Sequence, residues 1–103
     1  MSITDVIKIL EKYSIPCTFS HFNKPVTPPF MVYLIDSSDN FDADNKVYYQ
    51  IEGIRLELYT RVDTIKIEKE LEAYLTENGI LWDKSAQTWI DEDKLIETVY
   101  NLG

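Results

Sequence analysis

The sequence predicts an α+β domain, with two helices packed on one mostly antiparallel sheet in the order α-β-β-α-β-β. Three observations predict it. The chain has 103 residues, 45% of them hydrophobic and 13% aromatic, which is enough for one core and too little for two. Apolar residues recur at three- and four-residue spacing in two separate stretches, the signature of amphipathic helices. Elsewhere they run together or alternate over segments of strand length.

The first helix follows from Ile3, Val6, Ile7 and Leu10, with Tyr13 extending the stripe. Ser2 is the expected N-cap, and Asp5 three positions on completes a capping box. Pro16 stops the helix, because the residue before a proline is pushed toward extended geometry. Residues 17–22 alternate as a short strand. Residues 23–29 hold three of the chain's four prolines and form an extended connection. Phe30 to Ile35 is an unbroken apolar run, long enough for a strand and too short for a typical helix.

Residues 36–45 have turn composition and are expected to be a loop. A long strand from Val47 to Arg61 follows. Its apolar parity changes partway: Val47, Tyr49 and Ile51 are odd, whereas Ile54, Leu56 and Leu58 are even. Gly53 sits at the change, so a β-bulge is expected there. Asp63 or Thr64 should cap the second helix, whose buried stripe is Ile67, Leu71, Tyr74 and Leu75. Asn78-Gly79 closes it. In the remainder, Trp82, Trp89 and Ile90 flank a polar stretch, Asp91-Glu92-Asp93 is a turn, and residues 95–100 form a last strand. No internal repeat or linker divides the chain.

Charge narrows the function. With 18 acidic against 10 basic residues the net charge is −8, and such a surface repels phosphate, which argues against direct nucleic-acid binding. No apolar stretch approaches a membrane span, and the N-terminal residues do not read as a signal peptide. The single cysteine, Cys17, cannot pair internally and suits a reducing compartment.

The candidate chemistry is thin. Asp36, Asp39, Asp42 and Asp44 crowd one segment and could be read as calcium ligands. From Asp42, however, the fifth position is Lys46 and the sixth is Val47, so the calcium-loop pattern fails. His21 and Cys17 lie in no catalytic motif. Glu52, Glu57 and Glu97 on strands could pair as acid and base, as in glycosidases, though strand carboxylates are usually solvated. No metal or cofactor is expected. The aromatics are more telling. Tyr33, Tyr48, Tyr49, Tyr59 and Tyr100 fall on predicted strands, and the first four are candidate sheet-surface aromatics for association.

The strings HFNKPVTPPFMVYLIDSSDNFDADNKVYY, IRLELYTR and GILWDKSAQTWIDEDKLIETVY resemble a family of small proteins from phage and prophage structural-gene clusters of Gram-positive bacteria. That family is similar to the tail-completion proteins, or tail terminators, of long-tailed phages. The resemblance covers most of the chain. It implies an α+β subunit of a hexameric ring that caps the tail tube and meets the head connector. It also implies residence in the virion tail or neck after synthesis in the bacterial cytoplasm, with no enzymatic activity and no cofactor. DNA would pass such a ring without specific binding. The other readings are a neighbouring head–tail connector or minor tail component, a small metal- or ligand-binding module using the acidic loop, and an acidic adaptor or inhibitor. On the ring reading, Asp36, Asp39, Asp42 and Asp44 are candidates for an interface or a lumen wall. Phe41, the one large apolar residue among them, is the candidate anchor.

Overall fold

The computed structural model describes residues 2–39 and 50–102, with side chains for all of these except 36–39 and 50–52. Within them the chain forms α1 (Ile3–Lys12), β1 (Cys17–Phe19), β2 (Phe30–Asp39), β3 (Gln50–Thr60), a 3₁₀ turn (Val62–Thr64), α2 (Ile67–Glu77), β4 (Trp82–Ile90) and β5 (Leu95–Leu102). The strands make one sheet in the order β1-β2-β3-β5-β4, antiparallel except for the β1–β2 pair. This is the α+β class with two helices and one mostly antiparallel sheet that the sequence predicts, but the order is corrected: three strands precede α2 where α-β-β-α-β-β has two, because the short β1 joins the sheet edge beside β2. None of the described helices is long and apolar enough to cross a membrane.

Both helices pack on one face of the sheet. Alternation along β3 sends Ile54, Leu56 and Leu58 to that face, beside Met31 and Tyr33 of β2 and Tyr100 and Leu102 of β5. Leu10 of α1 and Leu71 and Leu75 of α2 are fully buried against them. Each such leucine contributes on the order of 2 kcal/mol by leaving water. Tyr33 therefore belongs to the core, not the sheet surface: it is 8% exposed and its ring meets Phe19 at 5.4 Å. Tyr100 is likewise buried.

The helix ends follow their chemistry. The Asp5 amide donates to Ser2 Oγ at 3.2 Å and the Ser2 amide to Asp5 Oδ2 at 3.3 Å, the expected capping box. Gly79 has φ 74°, a left-handed conformation that costs glycine little, and the amides of Gly79 and Ile80 donate to the carbonyls of Thr76 and Leu75. At the other end of α2 the expectation fails. Lys66 is its N-cap without a side-chain hydrogen bond, and Thr64 Oγ1 instead accepts from the Arg61 amide at 2.9 Å, closing the 3₁₀ turn. The turn satisfies its own donors, so α2 starts one turn later than Asp63 or Thr64 would set it.

Two further expectations are corrected. Asp36 and Asp39 do not begin a loop, because β2 continues through them, Asp36 opposite Gly53 and Asp39 opposite Gln50. Ladder hydrogen bonds to β3 override the turn propensity of Asp and Ser there. Nor does Gly53 carry a bulge: Ile35↔Ile54, Asp36↔Gly53 and Ser37↔Glu52 follow in unbroken register. Among the described residues, β3 has no neighbour on its β5 side before Ile54, which pairs with Leu102. The alternation that a shared core face imposes stops at that point. The bulge lies in β4 instead, where Lys84 faces Tyr100 and Ala86 faces Val99, leaving Ser85 as the extra residue. Gly53 meets a different constraint, since a Cβ there would lie 3.2 Å from the Leu102 carbonyl oxygen. Gly53→Val should cost about 1–2 kcal/mol through that overpacking. Urea unfolding would check it, and an unchanged midpoint would show that β5 can shift.

The layers are tied by one polar cluster inside the helix-covered side. Lys84 of β4 bridges Glu68 and Glu72 of α2, reaching Glu72 Oε2 at 2.6 Å. The Tyr100 hydroxyl donates to the same Glu72 oxygen at 2.8 Å. Gln87 donates to Glu68 Oε1 at 3.1 Å and to Thr98 Oγ1 at 2.9 Å. Burial alone would raise Glu72 above the usual carboxylate range, but hydrogen bonds from Lys84 and Tyr100 outweigh it and hold the carboxyl below that range. Lys84 is raised for the mirror reason: burial opposes its charge, and the two carboxylates more than compensate.

Candidate functional site

Among the described residues, the opposite face of the sheet carries no helix. Alternation along β3 places Arg55, Glu57 and Tyr59 there in a row. Pairing sets Phe30 of β2 and Glu97 of β5 on either side of Tyr59. The proline-rich connection reaches this face after a sharp turn at Ser20 (φ 68°), where the His21 amide donates to the Phe19 carbonyl at 2.7 Å. A non-glycine residue takes that left-handed conformation only when its surroundings hold it. The Pro28–Pro29 peptide is cis.

Between that connection and the sheet lies a cleft of about 530 Å³. Its apolar wall is aromatic. Phe22 meets Phe30 edge-on at 5.6 Å, and Phe30 stacks on Tyr59 at 4.9 Å. His21, Lys24 and Arg61 line it as donors, with Glu57 and Asp93 as acceptors. The Tyr59 hydroxyl lies 2.6 Å from Glu97 Oε2 and 3.0 Å from Glu57 Oε1, and Arg55 Nε donates to Glu57 Oε2 at 3.0 Å. Burial and these two carboxylates push the ionisation of Tyr59 upward, which keeps the phenol a donor. Tyr59→Phe should cost about 1–2 kcal/mol, since it leaves half-buried carboxylates short of a partner. Chemical denaturation of both proteins measures it, and equal midpoints would mean that water replaces the hydroxyl.

The structure thus brings Glu57 and Glu97 together, as an acid–base pair would require. A glycosidase pair needs a gap of roughly 5 Å or more in which the sugar sits. Here a tyrosine hydroxyl fills the gap, and both oxygens of Glu57 are engaged. Cys17 sits on the helix-covered side, where burial pushes its thiol up to about 12, and among the described residues the His21 ring bonds its neighbour Ser20, Nδ1 to Oγ at 3.1 Å. The arrangement offers recognition of a ligand with an apolar body and charged groups.

Of the residues that sequence reasoning favoured, Tyr59 lies in the cleft and Tyr33 in the core. Asp36 and Asp39 lie at the other end of the sheet, on the ribbon where β2 and β3 run on together. Phe41, Asp42, Asp44, Tyr48 and Tyr49 lie outside the described residues. Among the described residues, no three His, Cys, Asp or Glu side chains converge as a metal site. Sequence reasoning missed the cleft. Its one visible signal is the odd-numbered row Arg55, Glu57, Tyr59 alternating with the apolar even row. No family model matches the sequence, and no curated protein is significantly similar to it.

Proposed function

We propose that this chain is a structural subunit of a long-tailed phage or prophage particle, one that caps the tail tube and joins it to the head connector as a ring. One feature of the structure carries the reading. β2 and β3 continue as a two-stranded ribbon, residues 36–39 against 50–53, past the end of their pairing with β1 and β5. A lone two-stranded ribbon is marginal in water, so such an arm gains most when it lies on another subunit. The resemblance of the three sequence strings to tail-completion proteins points the same way.

On this reading the protein works without catalysis or a cofactor. Its partners are further copies of itself, the tube protein and the connector. The net charge of −8 suits a wall past which DNA slides, because carboxylates repel phosphate. Complementation of a phage or prophage lacking this gene tests the reading. Wild-type protein should restore infectious particles, Phe41→Ala should yield folded protein but few joined tails, and Asp39, Asp42 and Asp44 changed to Lys should assemble yet release DNA poorly. Normal particle yield without the gene product would end the proposal.

A further inference from the structure

We propose that the outer edge of β4, at Ala86–Ile90, receives an extended segment of another protein as an added strand, one with a β-branched centre and basic residues at both ends. The contact goes beyond the ring reading and does not depend on it.

β4 is the last strand in the sheet order, so among the described residues the backbone groups on its outer edge have no ladder partner. Alternate residues of an edge strand hold those amides and carbonyls outward, ready to pair. Sheets usually blunt such an edge with brevity, proline or charge. At the opposite side β1 is three residues long and bounded by Pro16 and the proline-rich connection, and β2 beyond it carries Asp36 and Asp39. β4 is nine residues long, holds no proline, and has no charge from Ser85 to Ile90. Its one lysine turns inward to Glu68 and Glu72. The bulge at Ser85 closes the Lys84 side of the edge, which confines pairing to Ala86–Ile90. Pairing with Ile96 sets Trp89 on the helix-covered side, yet it is 49% exposed, and an added strand would cover it.

Charge names the occupant. Asp83 stands at one end of this edge, and Asp91, Glu92, Asp93 and Lys94 form the turn at the other. Lys94 is bound to Asp91 at 3.0 Å. Arg61, two strands away just past the end of β3, shares the open-face cleft with Asp93. Among the described residues neither Asp83 nor Glu92 has a cation within ion-pair distance. The neutral strand thus lies between acidic ends about 24 Å apart, at ~3.4 Å per residue with the bulged Ser85 left out. A second copy of β4 paired antiparallel would bring Asp83 of each against the acidic turn of the other, which like charge opposes. A strand with basic ends meets both ends favourably, while its backbone completes the ladder.

Fluorescence anisotropy with a labelled peptide, Lys-Lys-Val-Thr-Val-Thr-Val-Lys-Lys, and a twin carrying glutamate for every lysine tests the contact. Against the full chain at low ionic strength the lysine peptide should saturate with a Kd below about 1 mM, bind more weakly as salt rises, and slow amide exchange at Ala86–Ile90. The glutamate twin should not bind. N-methylation of alternate peptide amides should abolish binding in one phase and spare it in the other, because only every second amide of a strand faces its neighbour. Trp89→Ala should weaken binding at least ~10-fold. Asp83→Lys with Glu92→Lys should exchange the preference, so that the glutamate twin binds better than the lysine peptide, while circular dichroism and melting temperature stay unchanged. The proposal is overturned if the lysine peptide fails to saturate up to about 1 mM, or if the two N-methyl phases bind alike. It is also overturned if Trp89→Ala binds normally or the reversed ends leave the preference as it was. Exchange protection at Ala86–Ile90 that grows with the concentration of the chain alone overturns it too, because the occupant is then a second copy.

Discussion

Replacing Lys84 with Met is expected to lower stability by about 3 kcal/mol at neutral pH, because it leaves two mostly buried glutamates facing each other without their cation. For a domain of this length that is a fall of roughly 15 °C in melting temperature. The pH dependence gives the effect its signature. Glu72 has a lowered folded-state value, so its contribution is present above the ordinary value of 4.5 and is lost as pH falls through the folded one. Lys84 has a raised value, so its contribution is complete below 10.5 and is lost only as pH rises through the higher folded one. The cluster therefore acts at full strength between those limits. Acid removes the favourable pairing from wild type and the carboxylate repulsion from Lys84→Met, so the gap between the two should shrink below about pH 4. Urea unfolding at neutral and acidic pH measures it. An equal loss at both would mean that Lys84 acts through packing of its alkyl stem.

Leu56→Ala is expected to cost about 3–4 kcal/mol, a large share of the roughly 5–15 kcal/mol that holds such a domain together. Leu56 is fully buried in the middle strand, between Tyr33 on one side and Tyr100 on the other. Neither neighbour can swing into the gap without leaving its own position on the sheet. Leu81→Ala provides the contrast, because Leu81 is 75% exposed and its loss should stay within about 0.5 kcal/mol. Comparable midpoint shifts for the two would mean that Leu81 is covered in solution, as it would be by a neighbouring subunit.

How far these features were legible depends on whether their causes are local. The Ser2–Asp5 cap, the α2 stripe and the Gly79 stop are set by residues within one or two turns, and sequence spacing shows them. The Lys84 cluster is not local. Its members come from α2, β4 and β5, and β4 by itself reads as a polar stretch between tryptophans. Tyr33 and Tyr59 are both strand tyrosines, and only the registers of β2 and β3 decide that one faces the helices and the other the open face. Gly53 misled for a related reason. A parity change in a strand looks the same whether a residue is inserted or whether the strand runs on beyond its neighbour. The aspartates at 36 and 39 carry turn propensity, and their pairing with Gly53 and Gln50 overrides it.

The order of strands in the sheet also sets an order in time. β5 is the last of these strands to be synthesised, yet it lies inside the sheet, between β3 and β4. The β2–β3 and β4–β5 pairs join near neighbours in sequence, whereas the seam between them joins Ile54 to Leu102 across the whole of α2. Closing that long loop is the slow step for such a topology. Until it closes, a nascent chain presents the unpaired edge of β3, with Leu56 and Leu58 on one of its faces. That is the surface on which unfinished chains stick to one another or to a chaperone.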